Sequence, residues 1–174
     1  MPEYFETFDD DDNPTGLVAR NEVHARGLWH RSAHVFLFTS DHELYVQRRA
    51  ADKDLYPGRW DFSVGEHLKP GETYLAGAQR GLAEELGVSG VALQPIGTLH
   101  RATNRIPELG VADREIQQAF SGCYDGPVRP DREEVAEVTF LPVDALRRWM
   151  ARSPEAFTPW FLDEVTRLGL LRPA

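Results

Sequence analysis

Cysteine is nearly missing: Cys123 is the single one among 174 residues, so no disulfide can close within the chain. No apolar stretch approaches the roughly 20 residues that a membrane-spanning helix needs, and no apolar leader opens the sequence. Both deficits predict a protein of the reducing cytoplasm with no membrane partner. Basic charge is short as well. Nineteen Lys and Arg face 28 Asp and Glu, and the net charge of -9 argues against general nucleic-acid binding. A small phosphorylated ligand stays admissible, because a bound divalent cation changes the local sign. Internal repeats and linkers are also lacking. A hydrophobic content of 41% is enough for one good core. The expected organisation is an acidic N-terminal arm over 1–15, holding the run Asp9 to Asp12, and a single domain over 16–174. Oligomeric state is left open.

The most informative stretch runs from Gly65 to Val88. Gly71 marks a turn, Thr73 is placed to cap a helix, and Leu75, Ala78, Leu82 and Leu86 recur at helical spacing until Gly87 stops it. At about 100° per residue, Gly77, Gly81, Glu84 and Glu85 fall on an arc beside that apolar stripe. Two carboxylates then stand next to backbone that glycines leave uncovered, a face that suits a hard cation holding phosphate oxygens.

Around this helix the chain alternates strands and helices. Ser32 to Thr39 is nearly continuous in apolar residues and predicts a central strand; Glu43 to Arg48 predicts a second. Tyr56-Pro57-Gly58 is a turn, and Asp61 to Val64 a short strand entering the loop before the helix. Arg49, Lys53 and Arg59 lie just ahead of that loop, where they could cradle outer phosphate oxygens. Arg101 to Gly110 reads as a turn-rich insertion shaping access to the site. In the strand expected over Ala112 to Tyr124, the i, i+2 spacing of Asp113 and Glu115 aims both carboxylates at one ion. Val135 to Leu141 predicts a last strand, Pro142 to Met150 a helix, and Glu155 to Leu168 a helix interrupted by Pro159. The elements add up to an α+β chain, an α/β/α sandwich with a mixed sheet.

Glu72, seven residues, then Arg80-Gly81-Leu82-Ala83-Glu84-Glu85-Leu86-Gly87-Val88 resembles the Nudix box. Two positions depart from it. Glu66 stands where the box has its leading glycine, and Gly81 replaces the glutamate after the arginine, a residue that in the family ligates metal or helps activate water. The resemblance implies the Nudix fold, Glu84 and Glu85 as metal ligands, and an Arg80–Glu72 ion pair bracing loop against helix. From about Gly16 to Trp160 the chain is further similar to isopentenyl-diphosphate isomerases of that fold and their hydrolase-like relatives. By that resemblance His24, His30, His67, Asp113 and Glu115 match a metal shell, and Glu85 a ligand of a second, substrate-bridging Mg2+. Arg49 and Lys53 match diphosphate contacts, Glu115 a catalytic acid/base, and Trp160 an aromatic over an allylic cation. Three histidines and two carboxylates suit Mn2+, Zn2+ or Fe2+.

Gly65 falls where those isomerases carry a catalytic cysteine, and glycine cannot move a proton to or from carbon. Hydrolysis of a diphosphate asks for less: a Mg2+ or Mn2+ ion, a positioned water and a base. The expected activity is therefore divalent-metal-dependent hydrolysis of a small organic diphosphate. Glu84 and Glu85 would hold the metal, Arg49, Lys53, Arg59 and Trp160 would bind substrate, and Glu66 or Glu115 would activate water. A transition metal at the histidines is a further expectation. Two other readings stand beside this one: a non-catalytic metal- or diphosphate-binding relative, and an isomerase-like enzyme.

Overall fold

The apolar run expected to be central forms β3 (Trp29–Phe38) in the computed structural model, which describes residues 3–171. Ahead of it come β1 (Tyr4–Phe8), β2 (Pro14–Ala19) and α1 (Arg20–Arg26). After it follow β4 (Glu43–Arg49), β5 (Trp60–Asp61), β6 (Val64–His67) and α2 (Tyr74–Leu86). The remainder is β7 (Gln94–Ile106), β8 (Val111–Cys123), β9 (Val135–Pro142), α3 (Val143–Arg152) and α4 (Pro159–Leu168). The strands make one mixed nine-stranded sheet. At its centre β3 runs parallel to β8 and antiparallel to β6, with His30 opposite Glu115 and Ser32 opposite His67.

Alternation along β3 divides the core in two. Ala33, Val35 and Leu37 pack with Ala78, Leu82 and Leu86 of α2, while Phe36 packs on the other side with Leu146 of α3 and Phe161 and Val165 of α4. The expected α/β/α sandwich follows directly, because a sheet apolar on both faces needs a helical layer over each. The ends of α2 are those read from sequence: the Thr73 hydroxyl accepts from the Ala76 N–H, and Gly87 takes the left-handed conformation at φ 65°.

Three expectations change. Residues 4–19, divided between an arm and the start of the domain, form the β1–β2 hairpin, and only the acidic run stays at its solvated turn. Phe8 pairs with Trp29 of β3, and Phe5 is buried. The supposed insertion after Leu99 is largely strand: Arg101 to Ile106 pair with Ile116 back to Val111, leaving only Pro107–Leu109 and Gly110 as the turn. Pro159 does not interrupt a helix but starts α4, after a separate 3-10 turn at Pro154–Ala156.

Candidate functional site

The site lies where β3 begins. Gly27, left-handed at φ 61°, ends α1 and turns the chain into β3, so that His24 on the helix and His30 on the strand converge. Their rings lie 5.4 Å apart, and that of His67 lies 5.8 Å from His24 and 5.0 Å from His30. Asp113 reaches in from β8, its Oδ1 3.5 Å from His30 Nε2 and 3.8 Å from His24 Nε2. Donor atoms of His24, His30, His67 and Asp113 all lie within 4.8 Å of one another. Glu115 adjoins them, accepting from His67 Nε2 at 3.1 Å. Phe5 covers the group, stacked on His30 at 5.3 Å and 10°.

This cluster fits a metal on two observations. His24 Nε2, His30 Nε2 and Asp113 Oδ1 are buried without a hydrogen-bond partner, which is costly unless something else takes their lone pairs. His30 Nδ1 donates to the Leu28 carbonyl at 3.1 Å, which leaves Nε2 as the lone-pair nitrogen aimed inward. Burial pushes the His24 and His30 imidazoles down to about 4, so both are neutral at ordinary pH, as metal ligation requires. Burial also raises Asp113 well above the usual carboxylate range, with Glu115 adding to it. Glu115 behaves oppositely. Burial works against its charge, yet His34, 3.7 Å away, and His67, hydrogen-bonded to it, hold it well below the usual range.

His34 was not among the residues singled out from sequence. It sits on β3 within the apolar run, contacts Glu164 through Nδ1 and approaches Glu115 Oε2 at 3.7 Å through Nε2. Burial opposes its protonation, but Glu164 and Glu115 prevail and push it up to about 10. A histidine inside an apolar strand and a glutamate inside an amphipathic helix were the available signals; that they meet is a property of the fold.

A second acidic group lies across β6. Along that strand Gly65 and His67 face the histidine cluster, whereas Glu66 faces α2. Glu66, Glu84 and Glu85 line a cleft of about 420 Å³ together with Arg49, Lys53 and Arg80. Gly65, Glu66 and His67 line both this cleft and the smaller cavity over the histidines, so the two sites adjoin. Glu85 is buried and accepts from Gln47 Nε2 at 2.7 Å; burial pushes its carboxyl up to about 8. Glu84 is exposed and held by Arg80 at 3.0 Å and Lys69 at 3.5 Å. The oxygen-only donor set of Glu66, Glu84 and Glu85 fits a hard divalent cation, which would also relieve the buried charge of Glu85. The expected Arg80–Glu72 brace is present at 2.9 Å.

The glycines of α2 are not bare, as sequence reading had them. Both are buried: Gly77 abuts Leu68, and Gly81 abuts Val64 and Glu66. Of the expected phosphate cradle, Arg49 and Lys53 line the cleft, the latter paired with Glu134. Arg59 turns aside, with its guanidinium 4.7 Å from the Tyr56 ring centre and donating to the Phe157 carbonyl, so it does not join them. Trp160 lines the histidine-side cavity and donates through Nε1 to Asp61 at 2.9 Å, while Arg49 lies over its ring.

A mixed sheet between helical layers, with a glutamate-bearing helix beside it, is the architecture of a Nudix domain. The NUDIX domain family matches residues 28–161, and the chain belongs to that family. An isopentenyl-diphosphate Delta-isomerase of Burkholderia multivorans is 35% identical over 171 residues, covering 98% of this chain and 95% of that protein. An uncharacterized Nudix hydrolase of Pseudomonas aeruginosa is 38% identical over 133 residues, 76% of this chain and 75% of the other. Among solved structures, a Deinococcus radiodurans protein superposes with a TM-score of 0.76 at 22% identity, covering 95% of this chain and 99% of its own, a likeness of fold.

Proposed function

We propose that the protein hydrolyses the diphosphate linkage of a small organic diphosphate, with a divalent cation held by Glu84 and Glu85. The observation that carries this reading is Gly65. It faces the buried Glu115 side of the cavity, and the Phe62 ring fills the room beside it: a Cβ at Gly65 would lie 2.4 Å from Phe62 Cε2. No proton-moving group stands at that position, so a two-sided protonation and deprotonation of an alkene lacks one partner. Hydrolysis needs none there. Water adds to phosphorus, the bridging P–O bond breaks, the water proton passes to a carboxylate, and the phosphate leaves with the bridging oxygen. Arg49 and Lys53 line the cleft and would take the outer oxygens. A divalent cation in the cleft would offset the charge on those oxygens. The histidine cluster would hold a separate transition metal, stabilising the floor of the cavity.

The names of the relatives favour a second reading, isomerisation, because several isopentenyl-diphosphate isomerases match over nearly the whole chain. One experiment separates the two. A panel of nucleoside, sugar and isoprenoid diphosphates is incubated with the protein and Mg2+ or Mn2+, and phosphate release and alkene isomerisation are read in parallel. Phosphate release without isomerisation is expected; isomerisation without phosphate release would overturn the proposal.

A further inference from the structure

The two departures from the Nudix box touch each other. Glu66 stands at the box's glycine and Gly81 at its glutamate, and a Cβ built on Gly81 would lie 3.0 Å from Glu66 Cβ and 3.4 Å from Glu66 Cγ. Side chains at both positions would crowd each other, on top of the closer approach of Val64 Cγ1 at 2.7 Å. The two positions therefore share one space between β6 and α2, which the Glu66 stem and Val64 fill when 81 is glycine. They are complementary in chemistry, since the carboxylate lost from the helix reappears on the strand beside it.

We infer that Glu66, projecting from β6, supplies the third carboxylate of the metal face in place of position 81. This rests on the reading of the cleft as a divalent-cation site. Glu66 lines that cleft with Glu84 and Glu85 and is held by Arg80 Nη1 at 3.1 Å. Arg80 also grips Glu72 and Glu84, so its charge remains paired when Glu66 is removed. Glu115, the other carboxylate considered for this chemistry, lies on the opposite face of β6 and is engaged by His34, His67 and Gln117. Burial raises the Glu66 carboxyl, and Glu66 adds to the shift of Glu85; a shared cation removes that repulsion.

The test is Mn2+ binding, followed by the paramagnetic resonance of the free ion, in a His67→Ala background that silences the histidine cluster. Glu66→Gln should weaken binding at least roughly tenfold, in the range expected for lost support of a metal, while the exposed control Glu137→Gln leaves it unchanged. Equal binding by Glu66→Gln and its parent would overturn the inference while leaving the cleft intact as a metal site. No Mn2+ binding by the parent would overturn both. A transplant gives a second measure, made with Val64→Ala throughout because Val64 Cγ1 would lie 2.7 Å from the new Cβ. Glu66→Gly should lose Mn2+ affinity, and adding Gly81→Glu should restore it to within about threefold, the signature of coupled positions. A double variant no better than Glu66→Gly alone would count against Glu66.

Discussion

His34 and Glu164 meet inside the protein, imidazole Nδ1 against carboxylate, with about 3% of each residue exposed. Arg167 binds the far oxygen of Glu164 at 3.0 Å, and Glu115 lies on the far side of His34. Charge thus alternates from α4 through the sheet to the histidine cluster. The charge that the pair places on His34 acts with His67 to keep Glu115 ionised against its burial.

Removing one partner should be severe, because the other buried charge then keeps a single counterion, Arg167 for Glu164 or Glu115 for His34. His34→Gln or Glu164→Gln is expected to cost up to about 3–5 kcal/mol of unfolding free energy, the cost of fully orphaning a buried ion. The double variant should cost clearly less than the two single losses together. Chemical denaturation of the three proteins measures this, and strict additivity would show that the contact carries little energy.

Stability of the metal-free protein should peak near neutrality. His24 and His30 titrate at about 4 when folded, so between there and their ordinary 6.5 the unfolded chain takes up more protons and acidification destabilises the fold. His34 has the opposite sign: its contribution is whole below 6.5 and is lost as pH rises through about 10. Glu85 acts in the same sense as His34 over a lower window, from 4.5 to about 8. Melting temperatures taken in chelator from acid to alkaline pH should rise and then fall; a profile still climbing above pH 8 would contradict the assignment of His34.

Glu85→Gln removes charge with little change of volume. Divalent-metal-dependent turnover should fall at least roughly 100-fold, the upper end of what a supporting group costs a metal site, while the melting temperature holds or rises. The rise has a reason: burial disfavours the Glu85 carboxylate. Turnover unchanged at limiting Mg2+ would exclude α2 as the metal face.

Protein purified without chelator should retain a transition metal through dialysis, and His67→Ala should lose it. Elemental analysis reads both. Absence of metal in the parent, with none taken up on reconstitution, would leave the unpartnered Nε2 atoms of His24 and His30 without an explanation.

Gly65→Cys should not create an isomerase. Its side chain would run into the Phe62 ring, itself packed against His34 at 4.2 Å, so overpacking should cost about 1–3 kcal/mol. Isomerisation should stay at trace level. Robust alkene isomerisation by this variant, or by the parent, would overturn the reading of Gly65.

Most of the scaffold was legible because it rests on local rules. Thr73 and Gly87 bracket α2, the apolar run marks β3, and the alternation around Asp113 and Glu115 marks β8. The β1–β2 hairpin was hidden by the charge of its turn. Its signal lay there nonetheless, since the Asp9 carboxylate accepts the N–H groups of Asp11 and Asn13, a side-chain-built turn that aspartate and asparagine favour. The strand over Arg101 to Ile106 was masked by polar residues, because β7 is an edge whose outward side chains need not be apolar. Which glycine is open and which is covered depends on what packs against it. Gly81 could not be told from a bare helix position until β6 was in place. The same holds for His34 and Glu164, 130 positions apart in the chain.

The parallel ladder between β3 and β8 also governs when the site can exist. Trp29 to Phe38 must wait for Arg114 to Cys123 before that ladder can close, and such long-range pairing is slow because the intervening loop is ordered before contact rewards it. During synthesis His24, His30 and His67 leave the ribosome well ahead of Asp113 and Glu115. A nascent chain therefore offers scattered imidazoles without Asp113 or Glu115, and if the cluster binds an ion, its full donor set would be complete only late, once β8 has docked.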